Sequence, residues 1–200
     1  MLIAIPSKGR PTSCPSYERL QGNCTLFVPE SELKNYSIKY KNVLPVPITV
    51  KGITQTRNWI LKNTDERFVV MLDDDIKTAG YLKLNSTTSK KIEITDYKIW
   101  LNEFYKLFDI CEFLDYKIWG LKTESSLMST YPYKPFNFKS YVTASCMGII
   151  NDGTYTFDER FLVKEDYEIA LRHIKEKGGI LAARYLHWAN THWHDDHTRG

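Results

Sequence analysis

The run Arg67-Phe68-Val69-Val70-Met71-Leu72-Asp73-Asp74-Asp75-Ile76 constrains this chain more than any other stretch. An apolar segment of about five residues, rich in valine, reads as a strand buried on both faces. Such a strand needs a layer on each side, which is the requirement of an α/β fold. Three consecutive acids then stand at its C-terminal end, where open α/β sheets bind their ligands. Adjacent carboxylates repel one another and are tolerated best where water or a cation neutralises them. A solvated acidic turn would satisfy that rule. So would a site in which Asp73 and Asp75, two positions apart, share one hard cation and a bound phosphate.

With 200 residues the chain suits one domain with a sizeable core. The expected arrangement is a single compact domain over 1–200, with about 1–120 as the nucleotide-binding half and about 121–200 as the acceptor half. A net charge of +3 allows contact with a polyanion without demanding it. Cys14, Cys24, Cys111 and Cys146 are widely spaced and form no CxxC pair. With no signal peptide and no apolar run of membrane-spanning length, they read as reduced thiols in a cytoplasmic protein that makes no membrane contact.

Elements before the acidic run alternate between strand and helix. Leu2 to Ile5 reads as a strand, about Ser16 to Gln21 as a short helix, and Cys24 to Val28 as a second strand. Pro29-Glu30-Ser31-Glu32 opens a helix, with proline and acids in its first turn. A strand near Asn42 to Val46 and an amphipathic helix from Gly52 follow. This order predicts a doubly wound, mostly parallel sheet with helices on both faces. Pro6-Ser7-Lys8-Gly9-Arg10-Pro11 forms the loop after the first strand, with Gly9 free to take positive φ. It suits a nucleotide or diphosphate, and equally a basic surface turn. Arg57 stands near the start of its helix, where the helix dipole disfavours a cation unless an anion is close, which suits a bound phosphate.

Beyond the acids, Ala79 to Lys91 reads as polar, with Asn85 to Lys91 a mobile stretch, and Thr95 as the cap of a long amphipathic helix. The aromatic stripe of that helix, from Tyr97 to Leu114, is core material. Ile118 to Leu121 resumes the sheet, and Thr143 to Ile150 is a loop of small residues leading into an apolar strand. Glu165 and Asp166 begin a helix that Gly178-Gly179 closes, and Ile180 to Ala183 forms a last strand. Four histidines, His187, His192, His194 and His197, crowd the C-terminal stretch. In an extended segment His192 and His194 point to one side. A zinc site made from this cluster alone is a rival reading, but its spacing fits no standard finger and it lacks cysteines.

Gly52, Arg57-Asn58, a helix, then Phe68 to Leu72 ending in Asp73-Asp74-Asp75 together resemble the inverting family 2 glycosyltransferases of the GT-A fold. Phe157-Asp158-Glu159 followed by Glu165-Asp166 and Arg172 extends the match. The opening Ile3 to Pro11, Phe27-Val28-Pro29-Glu30 and Gly52-Ile53 are similar to the phage-type, TET-associated glycosyltransferases that act on hydroxymethylated pyrimidines in DNA. This resemblance implies transfer of a sugar from a nucleoside diphosphate, a UDP-sugar above all, to a hydroxyl with inversion. It implies a donor held by Pro6, Ser7, Lys8, Arg10, Arg57, Asp73, Asp74 and Gly148, the last in a loop under the sugar. It implies Mn²⁺ or Mg²⁺ on Asp75 and Asp73, with His192 or His194 completing the shell. It also implies that Asp166, with Glu165 beside it, takes the catalytic proton.

For the acceptor, Tyr131 to Tyr141 interleaves rings with lysines on a proline-restrained loop. Tyr133 and Phe136 are candidates to stack on an unpaired or flipped base, and Lys134 and Lys139 to meet phosphates. A loop whose rings cover the core while its lysines face solvent has the same composition. Two other function classes compete. A nucleotidyltransferase shares the parallel sheet and acidic site but wants a fuller Gly-rich loop than Ser7 to Arg10. A noncatalytic DNA-binding module leaves Asp73 to Asp75 and Glu165-Asp166 unexplained.

Overall fold

A computed structural model describes residues 1–84, 89–122 and 134–190. Its centre is one sheet whose strands are β1 (Leu2–Pro6), β2 (Thr25–Pro29), β3 (Val43–Val46), β4 (Phe68–Leu72), β5 (Ile76–Leu84), β6 (Ser89–Glu93), β7 (Ile118–Lys122), β8 (Phe136–Asn137), β9 (Cys146–Ile150) and β10 (Leu181–Asn190). The helices are α1 (Pro15–Arg19), α2 (Leu33–Ser37), α3 (Gly52–Lys62), α4 (Tyr97–Phe113) and α5 (Glu165–Lys177), with a 3₁₀ turn at Glu30–Glu32 leading into α2.

Strand order is β3-β2-β1-β4-β9-β7-β10-β5-β6, with β8 paired to β10. The first four strands are parallel, and β7 and β10 run with them. β9, β5 and β8 run against that direction. From β1 the chain steps outward through β2 and β3, then returns past β1 to β4. That reversal is the topological switch point at which open α/β sheets form a ligand crevice.

Alternation along the central strands fills both faces, as the continuous apolar runs require. Ile3, Ile5, Val70 and Leu72 pack with α1, α2 and α4 on one face. Ala4, Val69 and Met71 pack with Ile60 and Leu61 of α3 and Ile169 and Ala170 of α5 on the other. The aromatic stripe of α4 is core, as expected: Trp100, Phe104, Leu107, Phe108 and Cys111 have no solvent exposure. All four cysteines are free and buried. Among the described residues no helix is long and apolar enough to cross a membrane.

Three sequence expectations need correction. From Ala79 to Lys91 the chain lies in β5 and β6 at positions 79–84 and 89–91, while 85–88 lie outside the described residues. These two strands form an antiparallel pair in which Gly80 is matched with Glu93 and Lys83 with Lys90. The cap of α4 is Asp96, whose carboxylate accepts from Lys98 N–H at 2.9 Å, and not Thr95. The last strand does not stop at Ala183. β10 continues to Asn190, which pairs with Ile76 directly after the acidic run.

Candidate active site

The acids at the end of β4 do not form a solvated turn. Their side chains are 34% (Asp73), 13% (Asp74) and 21% (Asp75) exposed, and each has a partner. Asp74 accepts from Ser7 Oγ at 2.5 Å and from Arg10 at 2.6 Å. The same Arg10 nitrogen lies 3.1 Å from Asp75. Asp73 faces Arg57 at 3.2 Å. Thus the first-strand loop and α3 converge on the end of β4 across the switch point.

Backbone contacts hold the triad from beneath. Ser16, buried at the start of α1, donates its hydroxyl to Asp73 O at 2.5 Å, and its oxygen accepts from Ile76 N–H at 3.4 Å. Asp73 N–H donates to Ser145 O at 3.1 Å, joining the triad to the segment before β9. Tyr36 steadies the first-strand loop, its hydroxyl lying 2.8 Å from Ser7 Oγ and accepting from Arg10 N–H at 2.9 Å. Gly9 sits at φ +73°, the positive value its sequence context anticipates. Neither Ser16 nor Tyr36 could be assigned to the site from sequence, because Ser16 reaches Asp73 across 57 residues and Tyr36 reaches Ser7 and Arg10 across 29 and 26, each from a short helix with no motif of its own.

Electrostatically, this cleft is overfilled with negative charge. Burial raises the Asp73 pKa, Arg57 draws it back, and the neighbouring Asp75, Asp74 and Asp166 push it up again, to about 6. Burial likewise lifts Asp74 above its ordinary value, against the contacts from Ser7 and Arg10. Asp73, Asp74, Asp75, Glu165 and Asp166 set five carboxylates against the two guanidiniums of Arg10 and Arg57. Three negative charges are left over among these seven groups. Among the described residues, no group of three or more His, Cys, Asp or Glu side chains is already arranged to hold a metal ion.

Arg57 is not available to a phosphate. Its side chain is only 6% exposed and is closed between Asp73 and Glu165, with its plane over the Phe157 ring at 5.7 Å. The anion that its position at the helix start demands is therefore internal. Glu165, 4% exposed, is the counter-ion of Arg57 and does not face the cleft. Asp166 differs: it is half-buried, and its two oxygens accept from Tyr167 N–H at 2.9 Å and Ala144 N–H at 3.1 Å. Asn58 ties this region to α3 through reciprocal bonds with the Phe157 backbone, each 2.8 Å.

Pro6, Ser7 and Lys8 line a hollow of about 370 Å³ beside the triad. Phe27, Val46, Ile48 and Val50 give it apolar walls, and Lys8 and Lys51 stand exposed on it. Gly52 and Ile53, at the start of α3, close its side. The apolar residues after β3 were not marked by any motif; only the fold brings them to the first-strand loop.

Gly148 does not lie in a loop. It is in the middle of β9, paired with Val70 and Trp119, and an added Cβ would stand 2.0 Å from the Trp119 ring. Packing against that buried indole accounts for the glycine. Phe136 and Lys139 are also misplaced by the sequence reading. Phe136 pairs with Ala183 near the start of β10, whereas the triad borders Asn190 at its end. At the usual rise per residue these positions are roughly 20 Å apart. Phe136 packs edge-on against Tyr185 at 5.5 Å, and Lys134 and Lys139 are exposed. Tyr133, His192 and His194 lie outside the described residues.

Two comparisons bear on this arrangement. The chain resembles the crystal structure of S. aureus TarS 1-349 in complex with UDP-GlcNAc, with a TM-score of 0.57 and 12% identity, covering 96% of this chain and 59% of that one. The corresponding complex with UDP gives a TM-score of 0.55 at 12% identity, covering 96% and 61%. The chain thus spans about 60% of the length of those structures. No curated protein sequence matches it. At such low identity the likeness speaks to the fold alone, which is that of the GT-A glycosyltransferases. The family comparison covers residues 1–198, and by it the chain belongs to the TET-associated glycosyltransferases.

Proposed function

We propose that this protein transfers a sugar from a nucleoside-diphosphate sugar to the hydroxymethyl group of a modified pyrimidine in DNA, with inversion at the anomeric carbon. The observation that carries the reading is the carboxylate-rich cleft at the β1/β4 switch point, with the apolar hollow beside it and Asp166 across from it. TarS structures contain UDP and UDP-GlcNAc, and the same donor class is proposed here. Its base would enter the hollow lined by Phe27, Val46 and Ile48, with Ser7 and Lys8 toward the phosphates. The family name supports DNA modification as the setting.

The residues suit a divalent cation. They offer hard oxygen donors, and the uncompensated charge of the cleft would repel a diphosphate without one. Asp75 and Asp73 would hold Mn²⁺ or Mg²⁺, together with His192 or His194. Asn190, whose partner is Ile76, stands two and four positions before those histidines. When bound, such an ion neutralises charge developing on the leaving diphosphate.

The reaction is one displacement. The acceptor hydroxyl oxygen forms a bond to the anomeric carbon as the bond from that carbon to the diphosphate oxygen breaks. Asp166 takes the hydroxyl proton, held in orientation by its two backbone N–H donors. The nucleoside diphosphate carries away the electron pair. Arg57 fixes Asp73 from behind and contributes no proton.

Asp166→Asn tests this assignment. It keeps the size of the side chain but cannot accept the proton, so kcat should fall roughly 10²–10⁴-fold while UDP affinity is unchanged. Wild-type turnover in the variant, or loss of UDP affinity in step with kcat, would remove Asp166 from the role.

A further inference from the structure

The aromatic–lysine run was expected to meet the acceptor, yet Phe136 and Lys139 stand at the far end of β10. Among the described rings of that run, Tyr141 is the one that packs against the segments holding Asp166. Tyr141 stacks on Tyr167 with centroids 4.6 Å apart and planes inclined by 25°, and it remains 52% exposed. Tyr167 directly follows Asp166 and supplies one of its two N–H donors; Ala144, three residues after Tyr141, supplies the other. The two segments that hold the Asp166 carboxylate are therefore the two that carry the stacked rings. A stacked pair with one member half in solvent can be extended by one more ring, since every base has a π-face to offer.

We infer that Tyr141, backed by Tyr167, is the stacking face for the acceptor base, a pyrimidine turned out of the DNA stack with its hydroxymethyl group toward Asp166. The inference rests on the proposed transfer to DNA and names the part of the chain that would select a planar acceptor. It also gives the position of Tyr167 a second use. Tyr167 also borders a hollow of about 590 Å³ lined by Phe161, Leu171 and the exposed Lys164 and Lys175, whose two acids are already engaged, Glu168 by Arg172 and Glu176 by the Tyr155 hydroxyl. Apolar surface beside unburied cations suits the neighbouring nucleotides and their phosphates. A merely structural tyrosine pair would need neither the exposure of Tyr141 nor the adjoining lysines.

The experiment measures binding of a short fluorescein-labelled single-stranded oligonucleotide containing one 5-hydroxymethylcytosine, by anisotropy, to the full chain and to Tyr141→Phe, Tyr141→Leu and Tyr141→Ala. UDP affinity is measured on the same samples. The Phe variant should bind within about threefold of wild type, and the Leu and Ala variants roughly 10–100-fold more weakly, with UDP affinity unchanged in all. Leu or Ala variants that bind as tightly as wild type would overturn the inference, as would loss of UDP affinity in parallel or a wild-type chain that does not bind the oligonucleotide. Wild-type binding with the expected variant pattern but no sugar transfer would instead leave the stacking face standing and remove the transfer reaction.

Discussion

Arg57→Met probes the ion pairs on which the geometry of the cleft depends. The Arg57 and Glu165 side chains are 6% and 5% exposed, so the variant leaves the Glu165 carboxyl enclosed and without its counter-ion. Removing one partner of a buried pair costs about 3–5 kcal/mol. Asp73, 34% exposed, can recover water, so its pairing adds little to that figure. For a chain of this size each kcal/mol moves Tm by about 2–4 °C, which makes the expected fall roughly 6–20 °C. Urea unfolding of Arg57→Met, Glu165→Met and the double variant gives the coupling directly. The double variant should regain most of the loss, because apolar replacement of a whole buried pair is often neutral. It should not regain activity, because Asp73 still lacks its orienting partner. A cost below about 1 kcal/mol for Arg57→Met, or a double variant as unstable as the sum of the singles, would refute the reasoning.

Three further outcomes follow from particular contacts. Gly148→Ala drives a methyl into the Trp119 ring, buried between β9 and α4, and should cost about 1–3 kcal/mol or more in urea unfolding; a cost near zero with lost UDP affinity would return Gly148 to the donor site. His187, 2% exposed, is held neutral by burial and by the cations Lys91 and Arg19, against its backbone contact with Gly80 and the weaker pull of Glu93, so its pKa falls from the ordinary 6.5 to about 4. The unfolded chain takes up a proton first, so this contribution is complete above pH 6.5 and is lost as pH falls toward 4, about 3 kcal/mol in all; His187→Gln should flatten the fall in stability between pH 7 and 4, and an unchanged slope would contradict it. Asp75→Ala should abolish turnover, and EDTA should do so reversibly in wild type, whereas full activity in EDTA would remove the cation from the reaction.

Features that depend on neighbouring residues were legible in the sequence. Phe68 to Leu72 declares a two-sided strand, and the acids end it at the edge where ligands bind. Glu165 and Asp166 begin α5 as the helix dipole favours, and Gly178 closes it at φ +77°. What could not be read depends on pairing across long separations. β6 at the sheet edge, and β5 beside it, carry lysines, which protect an edge and dilute the alternation by which strands are recognised. Phe136 and Lys139 have the composition of a nucleic-acid loop, but the register with Ala183 and Ala182 decides where they stand. Arg57 was correctly expected to need an anion. That the anion would be Glu165, 108 residues away, is a matter of topology. The apolar hollow is the same kind of case, since Val46 and Ile48 meet Ser7 only because β3, β2 and β1 lie side by side.

The central claim is sugar transfer to a modified base, and it is tested most directly by mass spectrometry of nucleosides. DNA containing 5-hydroxymethylcytosine, and the same sequence with unmodified cytosine, are incubated with the protein, Mn²⁺ and a panel of UDP-sugars, then digested. The account predicts a nucleoside heavier by one glycosyl unit from the hydroxymethylated DNA with at least one donor, none from the unmodified DNA, and loss of that product in Asp166→Asn. Transfer to a protein, lipid or free sugar, with no adduct on hydroxymethylated DNA, would contradict the acceptor and leave the glycosyltransferase reading in place. No transfer from any nucleotide sugar to any hydroxyl would contradict both.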